Sequence, residues 1–195
     1  MTQASAECKS KMTHEITSSD RPLPSLEEAR VLAAPLFARL TELGIETTTV
    51  WHDPVFTVGE SDALYERIDG AHTKNLFLKD KKGRLWLISA RQDTVIDLKR
   101  APSLIGSDRL SFGNEVLMWE TLGVRPGSVT ALGLINDLDR RVGFVLDRRL
   151  WEAETVNFHP LTNTATTALD QTAFRRVLVL LGRDPLVVDF EAPER

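Results

Sequence analysis

The chain of 195 residues is 42% hydrophobic and 27% charged, the balance of an ordinary globular protein with room for one sizeable core. A formal charge of −4 argues against a dedicated nucleic-acid-binding surface, and no run approaches the roughly 18 apolar residues of a membrane span. The single cysteine, Cys8, excludes an internal disulfide and a thiolate metal cage. With no apolar leader and with Glu7, Glu15 and Asp20 near the start, a reduced, cytoplasmic protein is expected.

Residues 1–24 are rich in Ser, Thr and Lys, lack apolar periodicity and read as a flexible extension. Ser25 and Glu28 fit a capping box, after which Leu26, Ala29, Leu32, Ala33, Leu36, Phe37 and Leu40 recur at helical spacing up to Gly44. Pro35 inside that pattern predicts a kink or an interruption. The β-branched run 46–51 reads as a strand and residues 60–68 as a helix. Residues 72–79 and 84–89, joined by Asp80-Lys81-Lys82-Gly83, predict a hairpin.

Short helices are expected over 94–100 and 114–122. Residues 129–135 and 142–146 flank a polar stretch and predict a second hairpin. A strand over 153–158, an amphipathic helix from Asp170 to Leu181 and a last strand at 186–188 complete the pattern. Without strict βαβα alternation, the order implies an α/β chain of the mixed α+β kind, with a mixed, largely antiparallel sheet surrounded by helices. The folded part is expected to span 25–190, followed by a short tail at 191–195.

Three segments stand out chemically. His72-Thr73-Lys74-Asn75-Leu76-Phe77-Leu78 is a strand with a cation amid apolar residues. Alternation sets Lys74 with His72, Leu76 and Leu78, and Asn75 with Thr73 and Phe77 on the other face. Gly123-Val124-Arg125-Pro126-Gly127-Ser128 is a tight turn, and Gly127 would let backbone groups approach a ligand closely. His159-Pro160-Leu161-Thr162-Asn163-Thr164-Ala165-Thr166-Thr167 reads first as a polar loop bonding its own backbone and second as a small polar pocket. His52 reads as a strand-end or loop histidine before a pocket one. No HExxH, cysteine cluster, P-loop, dinucleotide fingerprint or G-x-S-x-G occurs, so neither a metal nor a nucleotide cofactor is expected.

Taken together, Thr73-Lys74-Asn75-Leu76-Phe77-Leu78, the Gly127 turn followed by Ala131-Leu132-Gly133-Leu134-Ile135-Asn136-Asp137, and Phe158-His159-Pro160 with Asn163 resemble the YbaK/prolyl-tRNA-synthetase-associated editing domain. The likeness spans residues 25–190 and is nearest to the free-standing alanyl-tRNA(Pro) deacylases of the ProXp-ala or PrdX type. One departure is Ala131, where family members often carry a proline four residues after the glycine.

The resemblance implies a hydrolase that removes a mischarged amino acid from tRNA(Pro) without metal or cofactor. By the same likeness Lys74, Gly127 and His159 carry the reaction, and Asn75, Ser128, Asn163, Thr164, Ala165 and Thr166 bind substrate. Lys74 would clamp the terminal adenosine phosphate or the aminoacyl group, and Asn75 would act through the strand end or a bulge. The implied partners are the tRNA(Pro) acceptor end and a prolyl-tRNA synthetase or elongation factor. Alternatives are cysteine, serine or threonine as the amino acid removed, a non-catalytic tRNA-binding or regulatory module, and a small-molecule hydrolase unrelated to tRNA.

Overall fold

The computed structural model describes residues 25–54 and 66–193. The predicted N-terminal extension, Cys8, residues 60–65 of the predicted helix and the last two residues of the tail lie outside the described residues. Residues 66–68, expected to end that helix, form a turn.

Helix α1 (Leu26–Glu42) starts on the predicted capping box, with Ser25 Oγ accepting from Glu28 N and Glu28 Oε2 accepting from Ser25 N. It runs on through Pro35 rather than breaking there. A proline inside a helix costs about 3 kcal/mol. Fully burying Leu36 and Leu40, worth about 1.5–3 kcal/mol each, offsets that cost.

The strands are β1 (Thr48–Trp51), β2 (Ala71–Asp80), β3 (Leu85–Arg91), β4 (Leu110–Phe112), β5 (Val142–Asp147), β6 (Thr155–Phe158), β7 (Ala165–Asp170) and β8 (Leu186–Val188). The remaining helices are α2 (Ala101–Ile105), α3 (Glu115–Leu122), a 3-10 helix (Ala131–Asn136), α4 (Arg148–Trp151) and α5 (Gln171–Leu180). One eight-stranded sheet runs β1-β7-β6-β2-β3-β5-β8, with β4 on β2. The β1–β7, β7–β6, β2–β3 and β2–β4 pairs are antiparallel; β2–β6, β3–β5 and β5–β8 are parallel.

The β2–β3 hairpin forms as expected. Asp80, 2% exposed, organises its turn by accepting from Lys82 N, Arg84 N and Arg84 Nε. The second predicted hairpin does not form. Residues 131–136 are helical, with Thr130 Oγ1 accepting from Leu132 N, and β5 instead pairs in parallel with β3. Ala131, Leu132, Gly133 and Leu134 are all buried, and a continuous apolar run carries no period that tells a strand from a helix.

The helix expected over 94–100 is displaced to α2, which opens with Pro102 in its first turn, where a missing N–H costs nothing. The segment read as a polar loop yields its second half to β7, so Ala165, Thr166 and Thr167 are strand residues.

The two faces of the sheet are covered differently. Phe77, Leu87, Phe144, Phe158 and Leu169 join α1, α5 and the 3-10 helix in the main core, where Phe158 and Phe174 stack at 5.5 Å. On the other face Leu78, Ile88 and Val145 pack with α2, Val188 and Phe190. The strands of that second cluster are β2, β3, β4, β5 and β8. In the described residues the β1-β7-β6 half of this face carries no apolar cluster.

Candidate functional site

Strand pairing generates the site. β2 and β6 pair in parallel only at Ala71–Val156 and His72–Asn157. Beyond that point β6 stays with β7 while β2 continues along β3, and β4 joins β2 only from Leu78. Among the described residues no strand pairs with residues 73–77 of β2 on this side. The strands part there, with Thr73 Oγ1 donating to Asn157 O (2.8 Å) across the start of the gap. Carrying the register two residues further sets Lys74 level with His159, on one face, where β2 and β6 diverge.

The same alternation places other polar groups on this face. Asn157 pairs with Ala168, so Thr166 shares its face, and His52 extends β1 beside it with its N–H donating to Thr164 O (2.9 Å). His52 Nε2 stands 3.0 Å from Thr166 Oγ1, and its Nδ1 donates to Asp53 O at 2.8 Å. A carbonyl oxygen accepts only, so in the neutral ring Nε2 is the acceptor and Thr166 the donor. Three of the chain's four histidines, His52, His72 and His159, thus share one face with Lys74. His52 carries no sequence signal beyond its position at the end of a β-branched run.

His159 Nδ1 donates to Ala165 O (3.0 Å), which fixes Nε2 as the lone-pair nitrogen of the neutral ring. Burial is the main force lowering its pKa below the usual imidazole value, against the opposing bond to Ala165, and repulsion from His52 and His72 adds to it. His159 therefore stays neutral over more of the acid range than a free histidine.

The loop after His159 is closely tied. Its carbonyl accepts from Leu161 N (3.0 Å), and Leu161 takes φ +66°, a conformation that a bulky residue holds only when its surroundings demand it. Leu161 is 7% exposed and belongs to the main core, which supplies that demand. Thr162 and Thr164 hydroxyls bond each other at 2.9 Å. Asn163 N donates to Ser128 Oγ (3.1 Å), which brings the Gly127 turn against this loop. Gly127 has φ +84°, and a Cβ there would stand 3.5 Å from Asn163 Nδ2. The constraint on this glycine is thus conformational rather than steric.

Lys74 is half-buried opposite Ala90, and its Nζ donates to the carbonyl of Thr94. Asn75 stands on the other face. Pairing through 73–79 is unbroken, so there is no bulge to turn it toward Lys74. Its Oδ1 accepts from Ser89 Oγ (2.5 Å) and its Nδ2 donates to Thr73 Oγ1 (3.4 Å). The fold therefore assembles two groups: Lys74, His159 and Thr166 on the open face, and Gly127, Ser128 and Asn163 at the loop that follows His159. Thr164 and Ala165 link the two. Asn75 is brought to neither.

The chain is thus an α+β protein whose mixed sheet presents a polar, histidine-rich face where two parallel strands separate. The chain belongs to the aminoacyl-tRNA editing domain family, whose model matches residues 52–177. It is 42% identical over 165 residues to prolyl-tRNA synthetase associated domain-containing protein 1 of Bos taurus, covering 82% of this chain and 96% of that one. It is 37% identical over 149 residues to the prolyl-tRNA editing protein ProX of Acetoanaerobium sticklandii, covering 75% and 90%. A crystal structure described as a candidate trans-editing enzyme for prolyl tRNA synthetase shares the fold, with a TM-score of 0.63 at 20% identity over 83% of this chain and 98% of that one. Among the described residues no helix is long and apolar enough to cross a membrane.

Proposed function

We propose that this chain hydrolyses the ester joining a wrongly attached amino acid to tRNA(Pro), with alanine the residue removed. The observation that carries this reading is the parting of β2 from β6 after the His72–Asn157 pair, with Lys74 and His159 each two residues further along one face. Names of relatives at 37–42% identity, which include a prolyl-tRNA editing protein, support the same substrate class.

An aminoacyl ester is already activated. Catalysis then consists of holding it, orienting a water and stabilising the developing oxyanion. Lys74 serves as the electrostatic clamp on the terminal phosphate or the ester oxygen. The Gly127 turn supplies close backbone contact. His159, neutral and with Nε2 as its acceptor, receives a hydrogen bond from the attacking water and orients it. Burial makes it a weaker base than a free imidazole, and its part is to position the water.

Thr164 and Thr166, both buried, form the amino-acid wall, while Ala165 between them turns to the main-core face of β7 with Leu169 and sets their spacing. Their hydroxyls are engaged by Thr162 and His52, so selection rests on size rather than on unpaired donors. A synthetase pocket made for a larger side chain rejects a smaller one by only about 1–3 kcal/mol per missing methylene, and a second, smaller site removes the error. Ser128 and Asn163 hold the loop that carries this wall. Asn75, on the far face, keeps β2 in register with β3. The reaction belongs in the cytoplasm, on the tRNA(Pro) acceptor end, with a prolyl-tRNA synthetase or elongation factor delivering the tRNA.

The test is a deacylation panel of Ala-, Cys-, Ser-, Thr- and Pro-tRNA(Pro) with the wild type and Lys74→Ala. Ala-tRNA(Pro) should turn over fastest and Pro-tRNA(Pro) should survive. The lysine variant should lose roughly 100-fold or more in kcat/KM, the order of one lost electrostatic stabiliser. Faster turnover of Cys-tRNA(Pro) would replace alanine as the substrate. Binding without hydrolysis of any ester would make the chain a tRNA-binding module instead.

A further inference from the structure

We infer that Asp147, through the turn 91–94, is the positioning residue for Lys74. The inference rests on the role proposed above for that lysine. After β3 the chain turns at Gln92-Asp93, closed by Thr94 N donating to Arg91 O (3.0 Å). The Thr94 carbonyl receives the Lys74 ammonium. Both arms of this turn end on a single carboxylate oxygen. Asp147 Oδ2 accepts from Arg91 N at 3.1 Å and from Thr94 Oγ1 at 2.5 Å. The other oxygen, Oδ1, accepts from Arg149 N (3.0 Å) at the start of α4.

Thr94 is 0% exposed and Asp147 1% exposed, so neither group exchanges these bonds for water. Arg149 braces the turn from outside. Its Nη1 contacts Thr94 Oγ1 (3.4 Å) and Glu191 (3.1 Å), and its Nη2 contacts Asp93 (2.9 Å).

The chemistry follows from the flexibility of lysine. Its four-carbon stem carries about 2 kcal/mol of rotamer entropy, so an ammonium stays at one point only if its acceptor is itself rigid. A carbonyl on a surface turn would not be rigid. Here a buried carboxylate fixes the residue that offers that carbonyl, through its hydroxyl and through the amide at the other end of the turn. The ammonium has three donors. One goes to Thr94 O, which leaves two for a ligand. Asp147 touches neither substrate nor reacting atoms and acts through Thr94 on Lys74.

The alternative is that Asp147 only caps α4 and joins β5 to the sheet. A double-mutant cycle separates the two. Asp147→Asn keeps a side-chain oxygen for Arg149 N, asparagine being a good cap, but replaces the oxygen that receives Arg91 N and Thr94 Oγ1 with a donor. Thr94→Val removes the hydroxyl while retaining the backbone carbonyl, and serves if Asp147→Asn fails to fold. Each should lower kcat/KM for Ala-tRNA(Pro) by roughly tenfold to a hundredfold, the cost of a misplacement near 1 Å. In the Lys74→Ala background each should change it by no more than about twofold, because coupled sites are not additive.

A direct measurement is water exchange of the Lys74 ammonium protons by nitrogen-15 NMR. The signal, assigned by its loss in Lys74→Ala, should be slow to exchange in the wild type and broadened by exchange in Asp147→Asn. Equal losses in both lysine backgrounds, or an ammonium signal unaffected by Asp147→Asn, would overturn the inference. Full activity of Lys74→Ala would sink the functional reading instead, while the NMR measurement still decides whether Asp147 holds the lysine.

Discussion

Lys74 and Asn75 are neighbours in the chain and work on opposite faces of β2, so substituting around each should have different consequences. Asn75 Oδ1 receives its hydrogen bond from Ser89, a residue with no exposed surface. Ser89→Ala leaves that oxygen without its donor on the core side, a loss of about 1–3 kcal/mol. It touches nothing on the open face. Urea unfolding should therefore show a lower midpoint for Ser89→Ala, while kcat/KM falls far less than in Lys74→Ala. The lysine variant should reverse the pattern, losing activity at little cost in stability. A Ser89→Ala protein that keeps its midpoint but loses deacylation as severely as Lys74→Ala would mean that Asn75 serves the reaction directly.

At the level of elements, the parallel β3–β5 pair is what the local pattern could not show, and Gly143 tests it. Trp86 and Gly143 are register partners, and a Cβ on Gly143 would lie 2.8 Å from Trp86 Cε3. The indole is held by Asp80 (3.4 Å) and by Arg84, 5.5 Å from the ring centroid. Gly143→Ala should thus cost about 1–3 kcal/mol in denaturant unfolding, the range for overpacking. Had residues 142–146 formed a hairpin with 129–135, position 143 would not meet Trp86, and alanine would be neutral or stabilising there. The β2–β3 hairpin was legible because its turn residues and both strands are contiguous, from Ala71 to Arg91, as were α1 and α5 from their caps and spacing. β7 was hidden because Thr164, Thr166 and Thr167 suit a self-bonding loop as well as a strand. The residues of the candidate site were legible as chemistry, but their assembly was not. It depends on a two-residue contact between β2 and β6, 85 positions apart, and on His52 meeting Thr166 across β1 and β7. Periodicity within one segment carries neither.

At the scale of the whole molecule, the same groups set the response to acid. Burial and the neighbouring His52 and His72 hold His159 below the ordinary imidazole value near 6.5. The unfolded chain takes up a proton there that the folded chain refuses, so this part of the stability is complete above pH 6.5 and declines as the pH falls toward the folded value. Asp80 acts lower on the scale. Burial pushes its carboxyl up, but the backbone and side-chain bonds from Arg84, with those from Trp86 and Lys82, outweigh it and bring the group from 3.8 down to about 2. Its contribution is therefore complete above about pH 4 and lost between there and about 2. Acid unfolding should then show a decline in urea midpoint that sets in below pH 6.5 and a further one between about pH 4 and 2. His159→Asn, whose amide can still donate to Ala165 O but has no proton to titrate, should flatten the decline between pH 7 and its acid plateau. It should leave the lower one in place. Asp80→Asn should flatten only the lower decline, from a reduced starting stability. If His159→Asn leaves the upper decline as steep as in the wild type, His159 is not the group refusing the proton. Its part as a neutral acceptor for the attacking water then falls with it.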